Sequence, residues 1–187
     1  MKRSIGAQSL VQPCPVFIIG TYDEKGVPNM MNAAWGGICC SKPPCVQVSL
    51  RSATYTHHNI VNNKAFTVNI PSVTYVKEAD YVGIYSGRSV KKFKETGLTP
   101  VKSTIVNAPI IEEFPMTLEC ELIHTLEIGL HTLFVGEIKD IKVDEAKIKD
   151  NVPDIAKTEP FIYDHASQSY FAIGKYLAKA FEVGKKK

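Results

Sequence analysis

Long apolar runs are scarce in this sequence. No stretch approaches the ~20 apolar residues that span a bilayer. The opening MKRSIGAQSLVQPCPVFIIG is interrupted by Gln8, Gln12, Pro13 and Pro15, which leaves no signal-peptide core. The expectation is a soluble, cytoplasmic protein without a membrane partner. Charge of one sign is scarce too. The 187 residues carry a net +3, too little for wholesale nucleic-acid binding. The one charge run, Lys185-Lys186-Lys187, reads as a solvated tail. The five cysteines (Cys14, Cys39, Cys40, Cys45 and Cys120) form no C-x-x-C pair, and no histidine stands at ligand spacing from Cys39, Cys40 or Cys45. An odd count argues against a disulfide framework. The cysteines read as free, mostly buried thiols in a reducing compartment, with no metal. A redox role for the adjacent Cys39-Cys40 is the minor alternative. A glycine-rich dinucleotide fingerprint, a P-loop, a Ser/His/Asp arrangement and a telling carboxylate pair are all missing.

What is present is strand. PVFIIGTYD ends in the turn signal Glu24-Lys25-Gly26 and is followed by PNMMNAAW, a hairpin pattern. Gly36-Gly37 breaks that second strand, and Pro43-Pro44 opens the next, Cys45 to Leu50. Ala65 to Pro71 alternates at period two. Met116 to Leu126 and Thr132 to Val143 are longer strand patterns, the second interrupted by Gly136, which marks a bulge or a close approach. Ala53 to Asn63 and Val76 to Tyr85 read as short helices. After Asp144 the pattern weakens; Phe161 to Tyr163 and Tyr170 to Ile173 fit short strands or packed loop. Six or seven hairpin-connected strands with inserted helices predict a mainly β fold, an antiparallel barrel with helices packed outside.

The strongest candidate for chemistry is VSLRSATYTHHNI. A strand delivers Arg51 to a helix that starts near Ser52–Thr56, which makes an anion trap from a guanidinium and unpaired helix amides. The plain alternative is that Ser52 or Thr54 only caps the helix while Arg51 is solvated. YSGRSVKKF adds Arg88, Lys91 and Lys92 behind Ser86-Gly87, which alone read as a solvated face. His131 enters a long strand and is either a satisfied structural residue or a polar group facing a pocket. His57 and His58 read as helix-surface residues, and Trp35 as core or interface packing.

PVFIIGTYDEKGVPNMMNAAW followed by PPCVQVSLRSATYTHHNI resembles the flavin reductase-like, FMN-binding split-barrel family, in its flavoredoxin-type branch. AFTVNIP, DYVGIYSGRSVKKF, APIIEEFPMTLECEL and GLHTLFVGEI follow in that family's order. The resemblance implies a single domain over 1–187 with a six-stranded antiparallel Greek-key barrel over about 13–143. The extension 144–187 would pack on the barrel or on a dimer partner. It implies a homodimer with FMN in a groove near the interface. Ser49, Leu50 and Arg51 would border the flavin, and Arg51, Tyr55 and Thr56 would hold its phosphate. Asn32, Ala33, Ala34 and Trp35 would run along the isoalloxazine, reading its polar edge with backbone groups. Ser86, Gly87 and Lys92 would close the site from either subunit, and His131 would face the flavin or a nicotinamide. The family commonly has Thr or Ser where this chain has Asn32, whose amide could donate to flavin N5 or O4 instead. Cys45 stands where an apolar residue is usual and reads as packing.

The implied activity is that of an NAD(P)H-dependent flavin or ferric reductase, with NADH or NADPH as donor. The alternative is a flavoredoxin-like electron carrier reduced by a redox protein partner. Either way the redox chemistry is the flavin's own, so no catalytic acid, base or nucleophile is required.

Overall fold

The computed structural model describes residues 1–185; Lys186 and Lys187 of the basic tail lie outside the described residues. A two-residue strand, β1 (Cys14–Pro15), precedes the hairpin of β2 (Phe17–Tyr22) and β3 (Pro28–Ala33). Its turn is held by Asp23, whose Oδ1 accepts from the amides of Lys25 and Val27 at 2.9 and 2.8 Å. Ala34 and Trp35 then lead into β4 (Gly36–Ser41), which hairpins into β5 (Pro44–Arg51). Next come α1 (Tyr55–Asn63), β6 (Ala65–Ile70), α2 (Val76–Ile84) and α3 (Lys92–Thr96). The short β7 (Pro100–Lys102) and β8 (Pro109–Ile111) lead to the long hairpin of β9 (Met116–Ile128) and β10 (His131–Val143).

The main sheet is antiparallel and runs β3-β2-β6-β9-β10-β5-β4, one strand more than the six-stranded barrel that the resemblance implies. The extra strand is β4, which lies where Gly36-Gly37 predicts a break. The glycine permits a crossing instead. A Cβ on Gly36 would lie 2.9 Å from both the Gln47 carbonyl oxygen and the Phe17 ring. The two edge strands, β3 and β4, are consecutive in the chain, so the sheet rolls round until its edges meet at Ala34-Trp35. The Ser49 amide donates to the Trp35 carbonyl at 2.8 Å and latches that junction to β5.

Inside the roll lies one apolar cluster, with Ile19, Val46, Val48, Leu50, Phe66, Val68 and Phe134 fully or almost fully buried. Gly136 serves it in both ways the sequence allows. A register shift separates Val135 from Gly136, and a Cβ there would lie 2.6 Å from the Phe66 ring. Outside the roll, a second cluster joins β2 and β3 to α2 and α3 through Val16, Ile18, Met30, Ala79, Val82 and Phe93.

Beyond Asp144 the chain forms β11 (Ile148–Lys149), β12 (Val152–Pro153), α4 (Ile155–Thr158), β13 (Phe161–Asp164) and β14 (Ser169–Ala172). Strands β13 and β14 join β1 in a three-stranded sheet, and Phe161 enters the outer cluster. Among the described residues, no helix is long and apolar enough to cross a membrane.

Candidate functional site

Two cavities share Met31, Arg51, Thr54 and Gly83 as walls and so make one groove. The smaller, about 300 Å³, is lined by Tyr55, Thr56, Ser86, Gly87 and Lys92 among others. The larger, about 580 Å³, is lined by Asn32, Ala33, Ala34, Trp35, Ser49, Leu50, Leu130 and His131 besides the shared residues. Every residue that the resemblance places at the flavin or its phosphate therefore lines the groove, although they come from β3, β5, α1, α2, α3 and β10 and from the loops beside them; Arg88 and Lys91 do not line it.

The smaller end is built for an anion. Thr54 is the N-cap of α1: its Oγ1 accepts from the His57 amide at 3.3 Å and donates to the Arg51 carbonyl at 2.9 Å. Capping and anion-trap readings are thus compatible, because the cap satisfies the third amide of the helix. The amides of Tyr55 and Thr56 have no helical carbonyl within reach. Among the described residues, the exposed Arg51 guanidinium makes no hydrogen bond or ion pair. Lys92 is 5% exposed, and its Nζ donates to the Val82 carbonyl at 2.7 Å, leaving two protons for a ligand. Burial pulls its pKa down to about 8. Asn29 is buried behind this end. Its Nδ2 donates to Thr56 Oγ1 at 2.9 Å, while its Oδ1 has no partner. Gly87 packs so closely that any Cβ would overlap Asn29 Oδ1 and crowd the Tyr55 ring.

Tyr55 lines this end, but its hydroxyl is already engaged. Its hydroxyl donates to Asp23 Oδ2 at 2.9 Å, and the Arg88 guanidinium lies 5.4 Å from its ring centroid. The hydroxyl proton is committed to Asp23, so the donor Tyr55 has left to offer an anion is its amide. Arg88 donates to the Ala53 carbonyl at 2.8 Å and braces this ring instead of lining the groove. Burial alone would raise the Asp23 pKa, but hydrogen bonds from Val27, Tyr55 and Lys25 hold it below the usual range.

The larger end is flat-walled and aromatic. The Trp35 and His131 rings lie 4.7 Å apart at 36°. His165, in the β13–β14 turn, packs edge-on against Trp35 at 6.0 Å. His131 is the cross-strand partner of Arg51, so the histidine and the arginine stand side by side at the rim. The Trp35 carbonyl already accepts from the Ser49 amide, which leaves it one further lone pair. Strand β3 also offers its unpaired edge. One correction concerns Asn32. Its Nδ2 donates to the Ala79 carbonyl at 2.9 Å and to the Tyr170 hydroxyl at 3.4 Å, which leaves no proton for flavin N5 or O4. His57 also departs from the helix surface. It is half-buried, with its Nε2 2.8 Å from Thr132 Oγ1 and its ring against Phe134. His58 is exposed beside Glu24.

Met31, Gly83, Leu130 and the supporting Asp80, Tyr170 and His165 escaped the sequence. Only Gly83 carried a signal, as the glycine of DYVGIYSG inside a helix pattern. Cys40 and Cys45 are cross-strand partners; Cys39 and Cys40 are exposed, and Cys14, Cys45 and Cys120 are buried.

The flavin reductase like domain model matches residues 12–170. The chain belongs to the flavin reductase-like family. Its structure resembles a flavoredoxin of Desulfovibrio vulgaris (Miyazaki F), with 53% identity, a TM-score of 0.94 and coverage of 99% of this chain and 100% of that one. A flavoredoxin from Methanosarcina acetivorans is similar at 31% identity and a TM-score of 0.92, covering 99% and 98%. A protein of Archaeoglobus fulgidus is 35% identical over 143 residues, 76% of this chain and 79% of its own. The rolled sheet with its latched edges is the split barrel of this flavin reductase-like fold.

Proposed function

We propose that the groove holds FMN and that the protein transfers electrons as a flavoredoxin-like carrier. The observation that carries this reading is the continuity of the groove: a cationic, amide-lined end for a phosphate opens directly into an apolar, aromatic end wide enough for a ring system. The donor set fits. Arg51, Lys92 and the amides of Tyr55 and Thr56 suit a phosphate dianion, which gains charge-assisted hydrogen bonds and the positive end of the helix dipole. Gly87 lets the chain pack against Asn29 and the Tyr55 ring at the edge of this end, where a Cβ would overlap them. Met31 and Trp35 offer apolar surface to the ring. When bound, FMN supplies the one- and two-electron chemistry; the chain's part is to bind it, orient it and set its surroundings. The 53% identity with a flavoredoxin over all of that chain supports the carrier reading.

A second reading, direct reduction by NADH or NADPH, is favoured by the openness of the ring end beside Trp35 and His131, where a second planar ring could stack. The visible spectrum tests both. Purified protein supplied with FMN is expected to show flavin bands shifted from those of free FMN. Under anaerobic conditions, bleaching by a partner reductase and not by NADH or NADPH supports the carrier. Rapid bleaching by either nucleotide supports the reductase. No change in the flavin spectrum on adding protein overturns the shared premise.

A homodimer is part of the proposal. Ile123, Leu126, Ile128 and Leu130 stand exposed on the β9–β10 hairpin, next to the groove, and a second copy would cover them. Light scattering on the purified protein reads this directly; a monomer at micromolar concentration would contradict it.

A further inference from the structure

Asn32 lies in the wall of the ring end, and both amide protons are engaged behind it. Nδ2 donates to the Ala79 carbonyl at 2.9 Å and to the Tyr170 hydroxyl at 3.4 Å. The partners dictate this orientation. A main-chain carbonyl can only accept. The Tyr170 hydroxyl has one proton and gives it to Asp80 Oδ1 at 2.9 Å, so towards Asn32 it too can only accept. Burial first, and then the Asp80 carboxylate, push the Tyr170 phenol far above its ordinary value, so that proton stays in place. Asp80 comes from α2 and Tyr170 from β14, so three elements converge on one amide. The remaining polar atom, Asn32 Oδ1, makes no hydrogen bond among the described residues, and Asn32 lines the larger cavity.

We propose that Asp80 and Tyr170 are positioning residues: they lock Asn32 with its acceptor towards the bound ring, and this favours reduced over oxidised flavin. The inference rests on the FMN reading above. The polar edge of oxidised isoalloxazine is mostly acceptors, with N3–H as its one donor. Uptake of two electrons adds a proton at N5. A fixed carbonyl oxygen opposes a lone pair and accepts from an N–H. An amide free to turn would serve both states; a held one serves the protonated state.

The test measures, without oxygen, the midpoint potential of the bound flavin and the dissociation constants of oxidised and reduced FMN. It compares the wild type, Tyr170→Phe, Asn32→Leu and the double variant. Tyr170→Phe, which lies outside the groove lining, is expected to bind oxidised FMN nearly as the wild type does, and Asn32→Leu is read by the ratio of its two constants. Reduced FMN is expected to bind about tenfold more weakly, which lowers the two-electron potential by about 30 mV. The double variant should fall no further, because the two residues act as one unit. An unchanged ratio of the two constants in Tyr170→Phe overturns the proposal and places the acceptor opposite N3. In the flavin-free protein, the Asn32 side-chain amide protons are expected to exchange slowly with solvent and to exchange fast in Tyr170→Phe. Equal exchange overturns the lock. A wild type that binds no flavin defeats the functional reading itself, whereas binding with an unchanged ratio defeats only this inference.

Discussion

Lys92 donates to the Val82 carbonyl at 2.7 Å from a side chain almost wholly removed from water. A buried cation with one fixed partner and two free protons is costly in the empty groove and suited to a phosphate. Its pKa of about 8 sets a pH window. The folded value lies below the unfolded one, so the empty folded state binds fewer protons than the unfolded chain between about 8 and 10.5, and its stability rises through that range. Phosphate binding favours the charged amine and raises its pKa. FMN affinity should therefore be full just below about pH 8, where the amine is charged and the phosphate is still a dianion. Above that, it should fall by up to about tenfold per pH unit until the pKa of the loaded state is reached. Fluorescence titration of FMN between pH 6 and 10 checks this, and Lys92→Met should flatten the profile.

Arg51→Ala should weaken FMN binding about tenfold or more, since a charge-assisted hydrogen bond contributes roughly 1.5–3 kcal/mol. Arg88→Ala should weaken it less, because Arg88 braces the Tyr55 ring and the Ala53 carbonyl and not the groove. Equal titration curves for the two variants would contradict the assignment of the phosphate end.

Tyr55→Phe separates fold from site. The hydroxyl is bonded to Asp23, so its loss should cost about 0.5–1.5 kcal/mol of stability in denaturant unfolding and leave FMN affinity nearly unchanged. The stability that the depressed Asp23 contributes is present above its unfolded pKa and is lost as pH falls through the folded value. The variant should therefore differ from the wild type at neutral pH and converge with it in acid. A large loss of FMN affinity would show that the hydroxyl reaches the ligand.

Gly87→Ala should destabilise the protein by about 1–3 kcal/mol, because the new methyl meets Asn29 and the Tyr55 ring. Gly37→Ala is the matched control, with open space at its Cβ position and an ordinary φ. Thermal unfolding of the pair reads the difference; equal midpoints would mean that the cradle yields freely.

Residues whose neighbours lie close in sequence were the most legible. Thr54, Tyr55 and Thr56 follow Arg51 directly, so strand end and helix start could be read together. The β9–β10 hairpin is announced by alternation from Met116 to Leu122, and in β10 the apolar spacing breaks where the register shifts. β4 was hidden because a glycine pair signals a break and cannot signal a crossing between sheet edges. The fate of side-chain protons was hidden as well. Nothing near Asn32 or Tyr55 in the sequence announces Tyr170 or Asp23 as a partner, since those pairs are made by the closure of the fold. The half-burial of His57 is hidden for the same reason: its packing against Phe134 and Thr132 comes from a strand far along the chain.

The junction at Ala34-Trp35 has a consequence for loading. The same few atoms that hold the two sheet edges together also form the wall of the ring end, so the binding surface persists as long as the barrel does. FMN taken up by the groove should therefore find the site already formed, with no folding event on its arrival. Mixing the empty protein with FMN should give a single exponential whose rate climbs in proportion to concentration, with no slow phase behind it. Amides along β3 and β5 should resist exchange equally well in the empty and loaded protein.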